Sequence, residues 1–222
     1  MSLQDRLDAF RADFETTKAP AEVVAVFHRA TAELVASGQA GRALKAGDRA
    51  PSFVLSDADG ATVSSEERLA RGPLVLTFYR GIWCPYCNMD LQAIEAAAAD
   101  IRALGASLVA ISPQTAANSR RSQRENNLSF PVLNDAGGAV AEAFGLKFRL
   151  PDDLIAVYGQ LGVDLPKING DPSWTLPMPA RYVIGRDGVI AYAEVNPDYT
   201  HRPDPEELLP TLRSLLAAAR AA

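Results

Sequence analysis

The two cysteines of this 222-residue chain lie three positions apart, where an apolar segment ends and a long helical pattern begins. Residues 74–79 (LVLTFY) have the composition of a buried strand. Residues 85–104 repeat apolar side chains at helical spacing, so Cys84 and Cys87 fall in or beside the first helical turn. A strand, a Cys-x-x-Cys motif and a helix in this order predict an α/β fold with a dithiol at the end of a strand.

The position of Cys84 and Cys87 favours redox chemistry. Residues three apart on a helical turn have Cβ atoms about 5–6 Å apart, so a small adjustment allows a disulfide. The unpaired N–H groups and positive dipole at a helix N-terminus favour a thiolate and lower a cysteine pKa from about 8.5 to roughly 3.5–7.5. We therefore predict a catalytic pair that cycles between dithiol and disulfide, rather than two small buried apolar side chains.

Composition excludes several other classes of function. A structural zinc site needs about four ligands, and the chain adds only two separate histidines to its cysteines, so no metal site is predicted. A net charge of −5 without a basic cluster argues against nucleic acid as a partner. The charged N-terminus has no signal-peptide run, and no segment has the ~18 consecutive apolar residues of a membrane span. We expect a cytoplasmic protein, where a Cys-x-x-Cys motif is more often catalytic than structural.

The pattern of apolar residues changes near residue 46. Residues 1–45 contain two amphipathic helical patterns, which predict an extension whose apolar faces pack on the main domain or on a partner subunit. Residues 46–222 alternate strand and helix patterns, which predict a mixed sheet flanked by helices. Within this domain, residues 147–180 are rich in proline and predict an insertion with one short helix at about 152–161.

Several segments resemble the peroxiredoxins of the alkyl hydroperoxide reductase and thiol-specific antioxidant (AhpC/TSA) family. The resemblance covers about residues 45–215 and depends on the order and spacing of its matches. The matching segments are 47–55 (GDRAPSFVL), 78–79 (FY), 105–112 (GASLVAIS), 130–135 (FPVLND) and 141–146 (AEAFGL). It implies a thioredoxin-like fold and thiol-dependent reduction of hydrogen peroxide or organic hydroperoxides. It also implies no bound cofactor, an external reductant such as thioredoxin, glutaredoxin or glutathione, and a possible homodimer.

The chain departs from the family at two places in the site. The family motif F-Y-P-x-x-x-T-x-x-C ends in the cysteine that attacks peroxide; here Cys87 stands at that position, Arg80 replaces the proline and Cys84 replaces the threonine. Where the family has an arginine three residues before an aromatic strand residue, this chain has Pro179. Pro179 resembles the cis-proline of thioredoxin, so a cis bond before it would form a platform for an extended disulfide substrate.

Two mechanisms remain open at this point. In a thiol peroxidase, the family alignment makes Cys87 attack and Cys84 resolve the sulfenic acid. Arg80 and Arg181 are then candidate donors to the peroxide oxygens in place of the missing arginine. In a thiol-disulfide oxidoreductase, Cys84 attacks because it lies nearer the open end of the helix, and Trp83 beside it shields the sulfur or supports the substrate.

A third possibility is a redox-responsive interaction module without turnover, in which the N-terminal helices bind a partner. The peroxidase is favoured because the resemblance to peroxiredoxins extends over the whole domain, whereas the thioredoxin-like features are confined to the active-site corner. His201 and Arg202, in the loop before the last helix, are expected to be solvated or, alternatively, to lie at a subunit contact or at the rim of the active site.

Overall fold

The structure is a computed structural model and describes residues 1–221. Its α-helices are α1 (Leu3–Asp13), α2 (Ala21–Ala36), α3 (Ser65–Arg71), α4 (Pro85–Ala103), α5 (Ala116–Glu125), α6 (Ala139–Ala143), α7 (Asp152–Gln160), α8 (Leu165–Asn169) and α9 (Leu208–Ala221). Its strands are β1 (Val54–Asp57), β2 (Thr62–Ser64), β3 (Leu74–Phe78), β4 (Ser107–Ser112), β5 (Val132–Asn134), β6 (Lys147–Arg149), β7 (Thr175–Pro177), β8 (Ala180–Ile184) and β9 (Ile190–Val195). None of the helices described is long and apolar enough to cross a membrane.

A seven-stranded mixed sheet forms the centre of the molecule, in the order β2-β1-β5-β4-β3-β8-β9. Strand β3 pairs in parallel with β4 and antiparallel with β8. All five residues of β3 are buried, and alternate ones face opposite sides of the sheet, so Val75 packs with α4 while Leu76 packs with Phe144 on the other side. The predicted α/β class, a mixed sheet flanked by helices, is confirmed.

The turn between β3 and α4 carries the Cys-x-x-Cys motif. Cys84 is the N-cap residue of α4, with extended backbone angles, and Pro85 occupies the first helical position. The amide side chain of Gln114 holds this turn, since its Oε1 accepts the Ile82 N–H at 2.9 Å and its Nε2 donates to the Tyr79 hydroxyl at 2.7 Å. Buried hydrogen bonds therefore fix the chain just before the cysteines.

The N-terminal helices pack on the rest of the same chain. Leu3 and Leu7 of α1 are buried in the core that contains α4, and the N–H of Leu3 donates to Asp204 Oδ1 at 2.7 Å. Ala30 of α2 packs in the cluster that contains Tyr158 of α7. A short π-helical turn, Phe14–Lys18, continues α1 towards α2. The two predicted helices are confirmed, whereas the division of the chain near residue 46 stays a prediction.

The proline-rich segment 147–180 contains more structure than its sequence predicted. The expected helix is present as α7. In addition, β6 and β7 form a separate two-stranded antiparallel sheet, and α8 lies between α7 and β7. This sheet joins the two ends of the segment, and Tyr158 of α7 contacts Arg80 and Trp83 in the turn that carries the cysteines.

Candidate active site

Cys84 and Cys87 are both free thiols and are almost entirely buried, with 1% and 0% of their surfaces exposed. Their surroundings differ. Cys84 lines a cavity of about 130 Å³ whose other walls are mostly aromatic. Cys87, one turn into α4, packs in the core beside Leu91 and Ile94. A small molecule that enters the cavity therefore meets the sulfur of Cys84.

Arg80 brings a buried positive charge to Cys84. Its Nη1 lies 4.0 Å from Cys84 Sγ, and its Nη2 donates to the Tyr158 hydroxyl. The guanidinium lies 4.1 Å from the ring centroid of Tyr199 and 4.8 Å from that of Trp83. Within residues 1–221 no carboxylate forms an ion pair with Arg80, which is only 3% exposed. An unpaired charge is costly to bury, so a thiolate at Cys84 is the counter-charge that this site provides.

Arg202 approaches the other sulfur. Its Nη2 lies 3.7 Å from Cys87 Sγ, and the side chain is nearly buried. Asp90, on the next turn of α4, accepts a hydrogen bond from Arg181 and lies 3.4 Å from Nε of Arg202. The expectation that Arg202 is solvated is therefore wrong, because the ion pair with Asp90 holds the arginine in the core.

The two cysteines have opposite pKa shifts. Burial by itself raises the pKa of Cys84, but a hydrogen bond from Cys87 and the charges of Arg80 and Arg202 outweigh it and lower this pKa to about 6. Burial raises the pKa of Cys87 well above its usual value, and the hydrogen bond to Cys84 and the negative charge of Cys84 raise it further. Both shifts favour the same state of the pair near neutral pH, with the thiolate at Cys84 and the thiol at Cys87.

Pro179 lies directly before β8, whose first residue, Ala180, pairs with Phe78 at the end of β3 that leads to the cysteines. No cis peptide bond occurs in residues 1–221, so the expected cis bond before Pro179 is wrong. The carbonyl of Pro179 accepts the N–H of Asn196 at 3.2 Å, which continues the pairing of β8 with β9. The N–H of Met178, in the backbone that precedes the proline, donates to the Leu146 carbonyl at 2.9 Å, so this part of the proposed platform is occupied within the protein.

Of the other predicted residues, Trp83 lies at the cavity and Arg181 lies buried away from it. Trp83 lines the cavity with Cys84, and its ring contacts that of Tyr158 at 5.3 Å between centroids, as a shield of the sulfur requires. Arg181 is 2% exposed and donates to the Pro203 carbonyl at 3.1 Å as well as to Asp90. It reaches the cysteines only through Asp90 and Arg202.

Sequence reasoning missed Asp90 and most of the aromatic walls of the cavity, and it gave the rim of the active site for Arg202 only as an alternative. One signal for Asp90 was available, because an acid three residues after Cys87 falls on the same helix face as the buried cysteine. Arg202 gave no such signal, since it lies in an irregular loop. Within the described chain, no three histidine, cysteine, aspartate or glutamate side chains are grouped so as to hold a metal ion.

The chain is similar to known proteins in sequence and in fold. The sequence model of the AhpC/TSA family matches residues 46–193. Chloroplastic peroxiredoxin Q of Oryza sativa subsp. japonica is 29% identical over 173 residues, which cover 76% of this chain and 67% of the rice protein. Its counterpart in Triticum aestivum is 27% identical over 181 residues, or 82% of this chain and 73% of the wheat protein. The thiol-disulfide oxidoreductase ResA of Halalkalibacterium halodurans is 28% identical over 118 residues, 53% of this chain and 66% of ResA.

Solved structures share the fold. Peroxidoxin BcpB of Mycobacterium tuberculosis superposes with a TM-score of 0.60 at 23% identity, over 79% of this chain and 97% of BcpB. AhpC of Enterococcus faecalis superposes with a TM-score of 0.60 at 18% identity, over 79% of this chain and 94% of AhpC. These likenesses confirm the predicted thioredoxin-like fold. Because the family match extends over more than half of the sequence, the chain belongs to the AhpC/TSA family.

Proposed function

We propose that the protein is a thiol-dependent peroxidase in which Cys84 attacks the hydroperoxide and Cys87 resolves the product. Membership of the AhpC/TSA family supports the activity. The single observation that supports the order of the cysteines is the cavity: both cysteines belong to the same buried core, but Cys84 also lines the cavity beside Arg80 and Cys87 does not. This order is the reverse of the one that the family alignment implies.

In the first step, the thiolate of Cys84 attacks the terminal oxygen of the hydroperoxide. The O–O bond breaks, the sulfur becomes a sulfenic acid, and the leaving oxygen takes a proton to form water or an alcohol. During the attack, negative charge moves from the Cys84 sulfur to the leaving oxygen. The positive charge of Arg80 stabilises both the thiolate and the leaving oxygen. The hydroxyl of Tyr158 accepts a hydrogen bond from Arg80, so its own proton remains available to the leaving oxygen.

In the second step, Cys87 attacks the sulfur of the Cys84 sulfenic acid, the S–O bond breaks and water leaves as the disulfide forms. This step needs the thiolate of Cys87. Two of the effects that raise its pKa, the hydrogen bond to Cys84 and the charge of Cys84, disappear once Cys84 is oxidised. Arg202 then favours the Cys87 thiolate, so the second cysteine becomes reactive only after the first has reacted.

The cycle closes when an external reductant supplies two electrons and two protons to the disulfide. A thioredoxin- or glutaredoxin-type protein, or glutathione, fits this role, and no bound cofactor is needed. We place the enzyme in the cytoplasm, where these reductants are kept reduced. Homodimer formation stays a prediction.

A second candidate function is thiol-disulfide exchange, which also begins at the Cys84 thiolate. The similarity to ResA favours it. The engaged N–H of Met178 argues against it, because an extended disulfide substrate would find this backbone donor before Pro179 already bonded within the protein.

Stopped-flow oxidation of the reduced protein, the Cys84→Ser variant and the Cys87→Ser variant tests this proposal. We expect Cys84→Ser to abolish fast oxidation by hydroperoxides. Cys87→Ser reacts once and leaves a sulfenic acid that dimedone traps at Cys84, detected by mass spectrometry. Fast oxidation that survives Cys84→Ser and disappears in Cys87→Ser would restore the order of the family alignment. Slow oxidation of all three proteins, with brisk Cys84-dependent disulfide reduction, would favour the second candidate.

A further inference from the structure

The cavity at Cys84 is walled by aromatic side chains from distant parts of the chain. They come from α1 and the turn after it, from α2, from α4, from α7 and from the loop before α9. These side chains are Phe10, Phe14, Phe27, Tyr86, Tyr158 and Tyr199, with Trp83 of the turn before α4 beside them. Aromatic side chains therefore form most of the cavity wall, which bears on the substrate that the cavity can take.

The rings on the N-terminal side form a continuous row. The ring centroid of Phe10 lies 5.2 Å from that of Tyr86, in an edge-to-face contact, and 6.5 Å from that of Phe14. Phe14 in turn lies 6.1 Å from Phe27, again edge to face. These separations lie in the range in which aromatic pairs attract one another. The row therefore holds its shape without a ligand.

Further ring contacts connect both ends of this row to other aromatic residues that line the cavity with Cys84. The ring centroid of Phe27 lies 5.9 Å from that of Tyr158, and Tyr86 lies 5.5 Å from Tyr199. Arg80 bridges the gap, since it donates to the Tyr158 hydroxyl and lies over the ring of Tyr199. The only charge in this wall thus lies next to the reacting sulfur, and every other wall is aromatic or aliphatic.

Three of these rings belong to residues outside the region that matches the family. Phe10, Phe14 and Phe27 precede residue 46, where the match to the AhpC/TSA family begins. The N-terminal helices therefore complete the cavity around Cys84. Their placement gives the extension a role at the active site in addition to its packing.

The size of the cavity limits what it can hold. Its volume of about 130 Å³ is close to the ~150 Å³ of an apolar protein cavity that takes up benzene. A single aromatic ring fills such a space and meets ring edges and faces on most sides. Hydrogen peroxide has no apolar surface, so its binding gains nothing from these walls.

We propose that the aromatic cavity selects hydroperoxides that carry one aromatic ring next to the peroxide-bearing carbon, with the ring against Phe14 and Phe27 and the peroxide at the side of the cavity where Cys84 and Arg80 lie. This inference rests on the proposed peroxidase function and adds the substrate class to it. Removal of one wall of an apolar pocket changes selectivity by about tenfold or more. Three substrates distinguish the effect of the aromatic ring from that of an apolar group in general. Cumene hydroperoxide carries the ring, tert-butyl hydroperoxide has an apolar group without a ring, and hydrogen peroxide has neither.

The test measures second-order rate constants for oxidation of the reduced protein by these three compounds. We expect cumene hydroperoxide to react about tenfold faster than tert-butyl hydroperoxide, with hydrogen peroxide slowest. Phe14→Ala and Phe27→Ala each lower the cumene hydroperoxide constant about tenfold more than they lower that of hydrogen peroxide. Val35→Ala is the matched control, because Val35 lines a neighbouring groove but not this cavity. Equal constants for the two organic compounds, or an equal loss for all three in the phenylalanine variants, would overturn the inference.

A binding experiment separates this inference from the peroxidase itself. The alcohol product of cumene hydroperoxide, 2-phenyl-2-propanol, carries the same ring and has no peroxide bond. We expect calorimetry to detect its binding to the wild-type protein, and Phe27→Ala to weaken that binding about tenfold. If no hydroperoxide reacts, the proposed peroxidase function is wrong, and the binding of 2-phenyl-2-propanol still tests whether the cavity accepts an aromatic ring. If the alcohol does not bind, the aromatic site is wrong whatever the turnover.

Discussion

Nη2 of Arg202 lies 3.7 Å from Sγ of Cys87, although the two residues are 115 positions apart in the sequence. Asp90 contacts both Arg202 and Arg181, so this buried group contains two positive charges and one negative charge. Its surplus positive charge faces Cys87. Arg80 lies beside Cys84 in the same way, so each sulfur of the motif has a buried arginine next to it.

Replacement of Arg202 by methionine should slow the resolving step. Methionine keeps much of the buried side-chain volume but removes the charge that favours the Cys87 thiolate. We expect disulfide formation after the sulfenic acid to slow by about tenfold, the equivalent of 1.4 kcal/mol. Rapid-quench mass spectrometry after one equivalent of hydroperoxide measures the lifetime of the sulfenic acid.

The matched control for this experiment is Arg213→Met, which removes an exposed arginine from α9. It should leave both steps unchanged. An Arg202→Met protein that forms its disulfide at the wild-type rate would show that Arg202 has only a structural role. A loss of the first step alone would place its effect on Cys84 instead.

Asp90→Asn should destabilise the fold. The asparagine has nearly the same shape, but Arg181 and Arg202 then remain in the core without a negative partner. Loss of one partner from a buried ion pair costs about 3–5 kcal/mol. Urea unfolding measures the free energy of unfolding of the reduced protein. Asp100→Asn, an exposed acid on the same helix, should change it little, and a similar small change in Asp90→Asn would mean that the ion pairs contribute no stability.

Local sequence patterns predicted the strand and the helix on either side of the cysteines. This was possible because the apolar pattern that indicates each element lies within the element itself. Helix α4, predicted at 85–104, ends one residue earlier, and so does β3, predicted at 74–79. The site itself depends on contacts between distant residues. The approach of Arg202 to Cys87 has no local signature, and the aromatic cavity requires α1 and α2 to pack beside α7.

At Pro179 a local pattern predicted a feature that the structure lacks, because the peptide bond before it is trans. The residue type and its place before a strand matched the thioredoxin pattern, yet the isomer of an X-Pro bond depends on tertiary contacts. Here β9 extends far enough for Asn196 to pair with the Pro179 carbonyl. One local resemblance was therefore a weaker guide than the ordered set of segments that identified the family.

Gly81→Ala should distort the turn that presents Cys84. Gly81 has a φ of 141°, a conformation that other residues rarely adopt, and an added Cβ would lie 2.6 Å from Nε1 of Trp83. We expect the variant to lose about 1–3 kcal/mol of stability, measured by urea unfolding, and to react more slowly with hydroperoxide. Gly137→Ala is the matched control for the φ effect, because Gly137 also has a positive φ, of 73°, but an added Cβ there meets no atom within 4 Å. Equal losses in the two variants would show that backbone strain alone, without the Trp83 contact, explains the effect.

The reactivity of Cys84 should follow its lowered pKa. Only the thiolate attacks, so the rate of oxidation or alkylation should rise with pH through about 6 and reach a plateau near neutrality. Arg80→Met removes one of the charges that stabilise this thiolate, so the midpoint should move to higher pH and the rate at pH 7 should fall. Alkylation of Cys84 by iodoacetamide, followed by mass spectrometry from pH 5 to 9, measures both curves. An unchanged midpoint in Arg80→Met, or a wild-type midpoint near the ordinary cysteine value of about 8.5, would show that Arg80 does not activate the sulfur and would return the choice of attacking cysteine to Cys87.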